Sequence, residues 1–83
     1  MTEKVFLNDK LVNTEDARIS AGDGGFLYGA GLFETMRANN GVVFRLSDHL
    51  DRLLNSAKAL YIEHSYNKEY LKDSVYKILK ANL

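Results

Sequence analysis

Five of the six glycines in this 83-residue sequence lie in the segment Gly22–Gly31. Glycine loses more conformational freedom on folding than any other residue, so it is unfavourable inside helices and strands. A cluster of glycines is therefore typical of a tight bend, or of a place where another molecule approaches the backbone. Residues 32–38 follow at once and have the aromatic and β-branched content of a strand. With Phe26, Tyr28 and Phe33 in and around it, the bend indicates one wall of a binding site.

The size and charge of the chain limit what it can be. Eighty-three residues allow one domain, which we expect to span residues 1–83. Eleven basic and eleven acidic residues cancel, so the net charge favours neither nucleic-acid binding nor a membrane surface. The absence of cysteine and the presence of only two histidines argue against disulfides and against a metal site. No apolar run approaches the roughly 20 residues of a membrane span, and we expect a cytoplasmic protein with no signal peptide.

Short apolar runs and turn residues predict hairpins in the first half of the chain. Apolar residues flank Asn8-Asp9 and again flank Asn40-Gly41. Asparagine, aspartate and glycine tolerate positive φ, so each pair is typical of a two-residue hairpin turn. Residues 32–38 and the run after Gly41 are the expected strands of the second hairpin, and Arg18–Ser20 is a further candidate strand.

The second half of the chain changes to a helical period. Ser47 is a suitable N-cap for a first helix, and Asn67 is a suitable N-cap for a second. The first helix has an apolar stripe at three- and four-residue spacing, formed by Leu50, Leu53, Leu54, Ala57, Leu60 and Tyr61. Strands followed by helices predict an α+β domain, in which a small antiparallel sheet of hairpins packs against two helices.

Arg52 lies on the side of the first helix that is opposite its leucines, with the small residues Ser56 and Ala59 beside it. One interpretation is a solvated arginine that pairs with Asp48, one turn earlier. The alternative is a receptor for phosphate or carboxylate, because small neighbours leave room and a guanidinium binds such groups through two hydrogen bonds. His49, on the flank of this face, either fixes the start of the helix or belongs to a site.

Several common catalytic motifs are not present. The sequence has no G-x-G-x-x-G, no P-loop and no G-x-S-x-G. The acidic residues Asp23, Glu34, Asp48 and Asp51 are too scattered to predict a pair of catalytic carboxylates.

Four segments in a fixed order nevertheless form a specific set. They are Arg18-Ile-Ser20, then Gly25-Phe-Leu-Tyr-Gly-x-Gly-x-Phe-Glu-Thr-x-Arg37, then Asn40-Gly41 with Phe44-Arg-Leu46, and His49-Leu-x-Arg-Leu53. Together they resemble the N-terminal domain of the class IV pyridoxal-phosphate enzymes. That family includes branched-chain aminotransferases, D-amino-acid aminotransferases and 4-amino-4-deoxychorismate lyases. The resemblance covers about residues 5–57 and implies the small domain of a larger two-domain enzyme.

The resemblance implies roles for individual residues. Arg52, the arginine of the His-x-x-Arg-Leu motif, is expected to hold the phosphate of pyridoxal 5'-phosphate. Phe33 is expected to line the pocket of a small amino-acid substrate. Tyr28 is expected to contribute to the same pocket, in the neighbouring subunit of a homodimer. Arg37 either lies near the substrate or has a structural role, of which we favour the second.

The resemblance also implies that part of the active site lies elsewhere. In this family a lysine of the second, C-terminal domain forms the covalent bond to the cofactor, and that domain is not in this sequence. A lysine of this kind needs a desolvated site that lowers its pKa, and none of the lysines here has such a setting. We therefore expect no catalytic residue in this chain and no turnover by the 83 residues alone.

Three functions remain open from the sequence. Transamination of an amino acid by a full-length parent protein is the first choice. The second is lyase chemistry on 4-amino-4-deoxychorismate, because the Phe33-Glu-Thr-x-Arg37 segment is compatible with both the aminotransferases and the lyases of the family. The third is a non-catalytic binding or assembly domain with an exposed sheet edge.

Overall fold

A computed structural model describes residues 3–82, and strands precede the two long helices in it. The elements are β1 (Lys4–Leu7), β2 (Lys10–Asn13), a 3₁₀-helix (Thr14–Asp16), α1 (Gly24–Tyr28), β3 (Ala38–Asn39), β4 (Val42–Val43), α2 (Leu46–Ala59) and α3 (Lys68–Ala81). The predicted α+β class is confirmed. The predicted domain also includes Met1, Thr2 and Leu83, which lie outside the described residues. Within residues 3–82, no helix combines the length and apolarity needed to cross a membrane.

Both predicted hairpin turns are present. Asn8 and Asp9 have φ of 48° and 72°, and Asn40 and Gly41 have φ of 54° and 77°. Two consecutive positive φ values match the twist of the flanking strands, which explains why these residue types are found there. The hairpins form two separate two-stranded antiparallel sheets in the described chain, where the sequence suggested one sheet.

The strand predicted over residues 32–38 is largely wrong, because only Ala38 lies in a strand. The segment keeps the alternation of a strand: residues 32, 34 and 36 are half-buried and residues 33, 35 and 37 are exposed. A strand needs a neighbour to satisfy its backbone groups. Strand β4 ends at Val43, and backbone pairing continues only to Phe44, whose N–H donates to the Arg37 carbonyl at 2.8 Å. The strand predicted over Arg18–Ser20 is also wrong, because none of these three residues lies in a strand.

Helix α2 begins at Leu46, one residue before the expected cap Ser47. Arg45 occupies the N-cap position with φ of 53° and makes no capping bond with its side chain. At the other end the helix stops before Leu60, and Tyr61 has φ of 57°. Because the chain turns away there, Leu60 and Tyr61 are 60% and 92% exposed, and the prediction that they complete the apolar stripe is wrong.

The core lies between the second hairpin, α2 and α3. Its buried side chains among the described residues are Val43, Leu46, Leu50 and Ala57. Helix α3 packs against this cluster with Leu71, Val75, Tyr76 and Leu79, and Met36 joins from the segment before β3. The apolar face of α2 is thus turned inward, which directs the opposite face of this helix to solvent.

Polar contacts at both ends of α3 fix its position. Asn67 caps the helix as predicted, since its side chain accepts a hydrogen bond from the N–H of Tyr70 at 2.8 Å. The ammonium group of Lys68 reaches α2 and contacts Asp51 at 2.8 Å. At the far end, the Asn82 amide bonds both the N–H and the carbonyl of Lys4, at 2.7 and 2.9 Å, and so joins α3 to the first hairpin.

Candidate anion-binding site

A cluster of charged side chains lies where the segment before β3 crosses α2. Residue 34 is on the half-buried side of the alternating segment, so the Glu34 side chain faces the helix. His49 and Arg52 are three residues apart on α2 and therefore share one face of it. The opposite side of the same helical turns bears the buried Leu50, which keeps this face directed outward.

Glu34 is the centre of the cluster. Its Oε1 lies 2.6 Å from His49 Nδ1 and 2.6 Å from Arg52 Nη2, and its Oε2 accepts from Arg52 Nε at 2.8 Å. The Glu34 side chain is 8% exposed, that of His49 20% and that of Arg52 67%. The nearly buried Glu34 carboxylate thus accepts hydrogen bonds from two side chains that are themselves partly exposed to solvent.

These hydrogen bonds determine the charge state of the cluster. Donation from Arg52, and next from His49, lowers the pKa of Glu34 from 4.5 to about 2, although burial opposes the shift. The same bond to Glu34 raises the pKa of Arg52 above its ordinary value. Glu34 is therefore an anion at neutral pH and accepts hydrogen bonds without donating any. His49 Nδ1 must then hold the proton that is shared with Glu34.

Arg52 keeps part of its guanidinium group available. The ion pair uses the Nε–H and one Nη2–H, whereas a guanidinium has five N–H donors. Between residues 3 and 82 no other acceptor bonds Arg52, so three N–H groups have no partner there; one Nη1–H and the second Nη2–H are parallel and form the Nη1–Nη2 edge. Arg52 lines a depression of about 400 Å³ together with Phe44, Arg45, Asp48 and His49.

The open edge fits a phosphate group. Two parallel N–H groups on one planar edge bind phosphate or carboxylate oxygens in the fork geometry that arginine favours. The neighbouring Arg45 forms an exposed ion pair with Asp48, with 2.8 Å between Nε and Oδ2. Because Glu34 uses only the Nε–H and one Nη2–H, an anion can contact the Nη1–Nη2 edge of Arg52 without displacing Glu34.

The predicted site residues are only partly brought together in this chain. Arg52 lies on the outward side of α2, as predicted, but it pairs with Glu34, so the interpretation that it pairs with Asp48 is wrong. Phe33 and Tyr28 are 88% and 82% exposed, and neither lines the depression beside Arg52. Phe33 is exposed because residues of this segment alternate between half-buried and exposed positions.

Glu34 is the residue that the sequence did not reveal. The scattered acidic residues predict no pair of carboxylates, and the partners of Glu34 are basic. The signal was its place between Leu32 and Met36, on a face that the alternation predicts to be buried. A buried carboxylate requires a cationic partner, and the pair His49 and Arg52 on one helix face was available.

Comparisons with known proteins agree with the resemblance. A family model described as amino-transferase class IV matches residues 31–83. Over 79 residues the chain is 48% identical to a putative branched-chain-amino-acid aminotransferase of Methanocaldococcus jannaschii. This alignment covers 95% of this chain and 27% of that protein. It is 39% identical over 79 residues to a D-alanine aminotransferase of Staphylococcus epidermidis, and this alignment covers 95% of this chain and 28% of that protein. The chain belongs to the class IV aminotransferase family.

A solved structure shows the same fold. The crystal structure of a branched-chain aminotransferase from Thermoproteus uzoniensis with norvaline matches at a TM-score of 0.89 and 37% identity. The match covers 99% of this chain and 29% of that one. This chain thus spans less than a third of the length of each relative described here.

Proposed function

We propose that this chain is the N-terminal domain of a pyridoxal-phosphate-dependent aminotransferase, and that Arg52 binds the phosphate of the cofactor. The observation that supports this most is the open edge of the Arg52 guanidinium, on the outward face of α2 and fixed by Glu34. Membership of the class IV family supports the reaction class. An arginine kept charged and exposed on a rigid helix is suited to hold a dianionic group in one orientation.

The residues of this chain would bind and orient, while the chemistry comes from the cofactor. When bound, pyridoxal phosphate supplies an electron sink for reactions at the carbon that bears the amino group. Arg52 would hold one end of the cofactor. Phe33 and Tyr28 would form aromatic walls against the side chain of a small amino acid, Tyr28 in the pocket of the neighbouring subunit.

Exposed aromatic side chains support the proposal that other protein surfaces cover this domain. Phe26, Tyr28, Phe33 and Phe44 are each at least 65% exposed. Several large apolar side chains left exposed are consistent with contacts to another protein surface. We propose that a second domain and a second subunit of a homodimer provide these contacts in the full-length protein.

Residues 1–83 alone are proposed to be inactive. A lysine that bonds covalently to the cofactor must lose its proton easily, which requires removal from water. Within residues 3–82, every lysine is exposed except Lys68, which is half-buried and ion-paired with Asp51. We place the required lysine in a C-terminal domain.

Transamination is preferred to the two alternatives. The relatives described above are all aminotransferases by name, and none of them is described as a lyase. A non-catalytic assembly domain would explain the exposed aromatic residues. It would not explain a paired arginine with one edge left open beside a depression.

The test is amino transfer by the full-length protein that contains this chain. Branched-chain L-amino acids and D-alanine are offered as donors with a 2-oxo acid as acceptor, and formation of the new amino acid is measured. Loss of a charge-assisted contact to phosphate should weaken cofactor binding by about 10- to 100-fold in Arg52→Ala. Arg18→Ala, an exposed arginine on a segment without regular structure, is the matched control.

Two results would contradict the proposal. The assembly role would be favoured if the full-length protein transfers no amino group from any donor and also contains no further domain with a suitable lysine. Equal cofactor affinity of Arg52→Ala and Arg18→Ala would remove Arg52 from the site and leave the family assignment intact.

A further inference from the structure

We infer that Glu34 is a positioning residue, whose carboxylate fixes the guanidinium of Arg52 so that the Nη1–Nη2 edge faces the incoming phosphate. This inference rests on the proposed function, because it assigns a task to Glu34 only if Arg52 binds phosphate. Glu34 itself would touch neither cofactor nor substrate. Its effect would pass through the two hydrogen bonds to Arg52.

The backbone around Glu34 keeps its carboxylate in place. Leu32, two residues earlier, lines an apolar groove with Leu53 and Leu54 of α2. Met36, two residues later, packs against the core cluster. Because both neighbours on this face of the segment are held by apolar contacts, the carboxylate between them has a fixed approach to the helix.

The hydrogen-bond pattern selects one orientation of Arg52. A long arginine side chain has considerable rotamer freedom, most of which is lost when a partner fixes it. Here the carboxylate binds the Nε side of the guanidinium through both oxygens, so the plane and direction of the group are defined. Donation by His49 to Oε1 keeps the carboxylate from rotating. A guanidinium already oriented loses less freedom when phosphate binds, which strengthens binding.

Simple electrostatics makes the opposite prediction, and this makes the inference testable. Removal of a negative charge next to Arg52 should favour any anion that approaches the same arginine. Positioning predicts weaker anion binding when the carboxylate is lost. Glu34→Gln keeps the shape of the side chain, but an amide has one acceptor oxygen and two N–H donors. It cannot accept the three hydrogen bonds that Glu34 accepts.

The experiment titrates the full-length protein that contains this chain, freed of cofactor, with inorganic phosphate and follows the ¹⁵N–¹H signal of Arg52 Nε. The variants are Glu34→Gln, Arg52→Ala and the double variant, and Glu63→Gln removes the same charge from an exposed loop as a control. Phosphate affinity should fall about tenfold in Glu34→Gln, which is the size of the loss seen when an outer partner of a metal ligand is removed. It should stay unchanged in Glu63→Gln. In the Arg52→Ala background, Glu34→Gln should have no additional effect.

A spectroscopic signature separates positioning from a general loss of structure. In the parent chain the Arg52 Nε–H signal should exchange slowly with water, and in Glu34→Gln it should broaden while the backbone amide spectrum keeps its dispersion. Glu34→Asp provides a second variant with unchanged net charge and a shorter reach. It should also bind phosphate more weakly than the parent chain, because the carboxylate no longer spans the distance to Arg52.

The outcomes distinguish the two levels of the proposal. If Arg52→Ala binds phosphate like the parent chain, the proposed role of Arg52 fails. If Arg52→Ala loses binding while Glu34→Gln or Glu34→Asp binds phosphate as tightly as the parent or more tightly, Arg52 keeps its role and the positioning role of Glu34 is refuted.

Discussion

Replacement of Leu50 by alanine would test whether the inward face of α2 supports the outward face that bears Arg52. Leu50 is 2% exposed and lies in one cluster with Val43 and Leu46. The substitution removes three carbon atoms, which costs about 2.4 kcal/mol at roughly 0.8 kcal/mol for each buried group. The cavity that remains brings the expected loss of unfolding free energy to about 3 kcal/mol. That is a large fraction of the roughly 5–15 kcal/mol that stabilises a typical domain.

Urea and thermal unfolding, followed by far-ultraviolet circular dichroism, measure this loss. For a domain of this size, about 3 kcal/mol corresponds to a decrease in Tm of roughly 12–24 °C. Leu60→Ala removes the same atoms from a side chain that is 60% exposed, and it should cost less than about 1 kcal/mol. Equal losses in the two variants would show that the inward face of α2 is assigned incorrectly.

Two further predictions concern pH. Between pH 4.5 and about 2, Glu34 binds a proton in the unfolded chain but not in the folded chain. The Glu34 ion pair therefore contributes its full stability above pH 4.5, and this contribution is lost as the pH falls through this window. Acid unfolding monitored by circular dichroism should be less steep there in Glu34→Gln, and an unchanged slope would contradict the ion pair. The Tyr70 hydroxyl donates to Asp9, which raises the pKa of Tyr70, so this contribution is lost as pH rises above 10. Asp9→Asn, which tolerates the same positive φ, should return the pKa of Tyr70 toward 10 in a phenolate absorbance titration; an unaltered pKa would exclude the contact.

Local features of the fold were accessible from the sequence. Asn8-Asp9 and Asn40-Gly41 predicted their turns because the φ preference of a turn residue is a property of the residue itself. The outward position of Arg52 followed from helical periodicity. The end of α2 was not predictable in this way, because Tyr61 belongs to the apolar pattern and leaves the helix only through a backbone reversal.

Features that depend on distant parts of the chain were not accessible. Whether residues 32–38 form a strand depends on a neighbouring strand, which the local pattern does not report. The partner of Arg52 is 18 residues away in sequence, and His49 is 15 residues from the same carboxylate. Asp48 was a reasonable partner by helical spacing, but Arg45 occupies it. Only the position of the segment across α2 decides which acid meets Arg52.

The most direct test of the account compares pyridoxal 5'-phosphate with pyridoxal, which lacks the phosphate group. Dissociation constants of both are measured for the full-length protein that contains this chain and for its Arg52→Ala variant. The account predicts that the phosphate group strengthens binding to the parent protein, and that most of this advantage disappears in Arg52→Ala. If the ratio of the two dissociation constants is the same in both proteins, Arg52 does not bind the phosphate and the central claim is wrong.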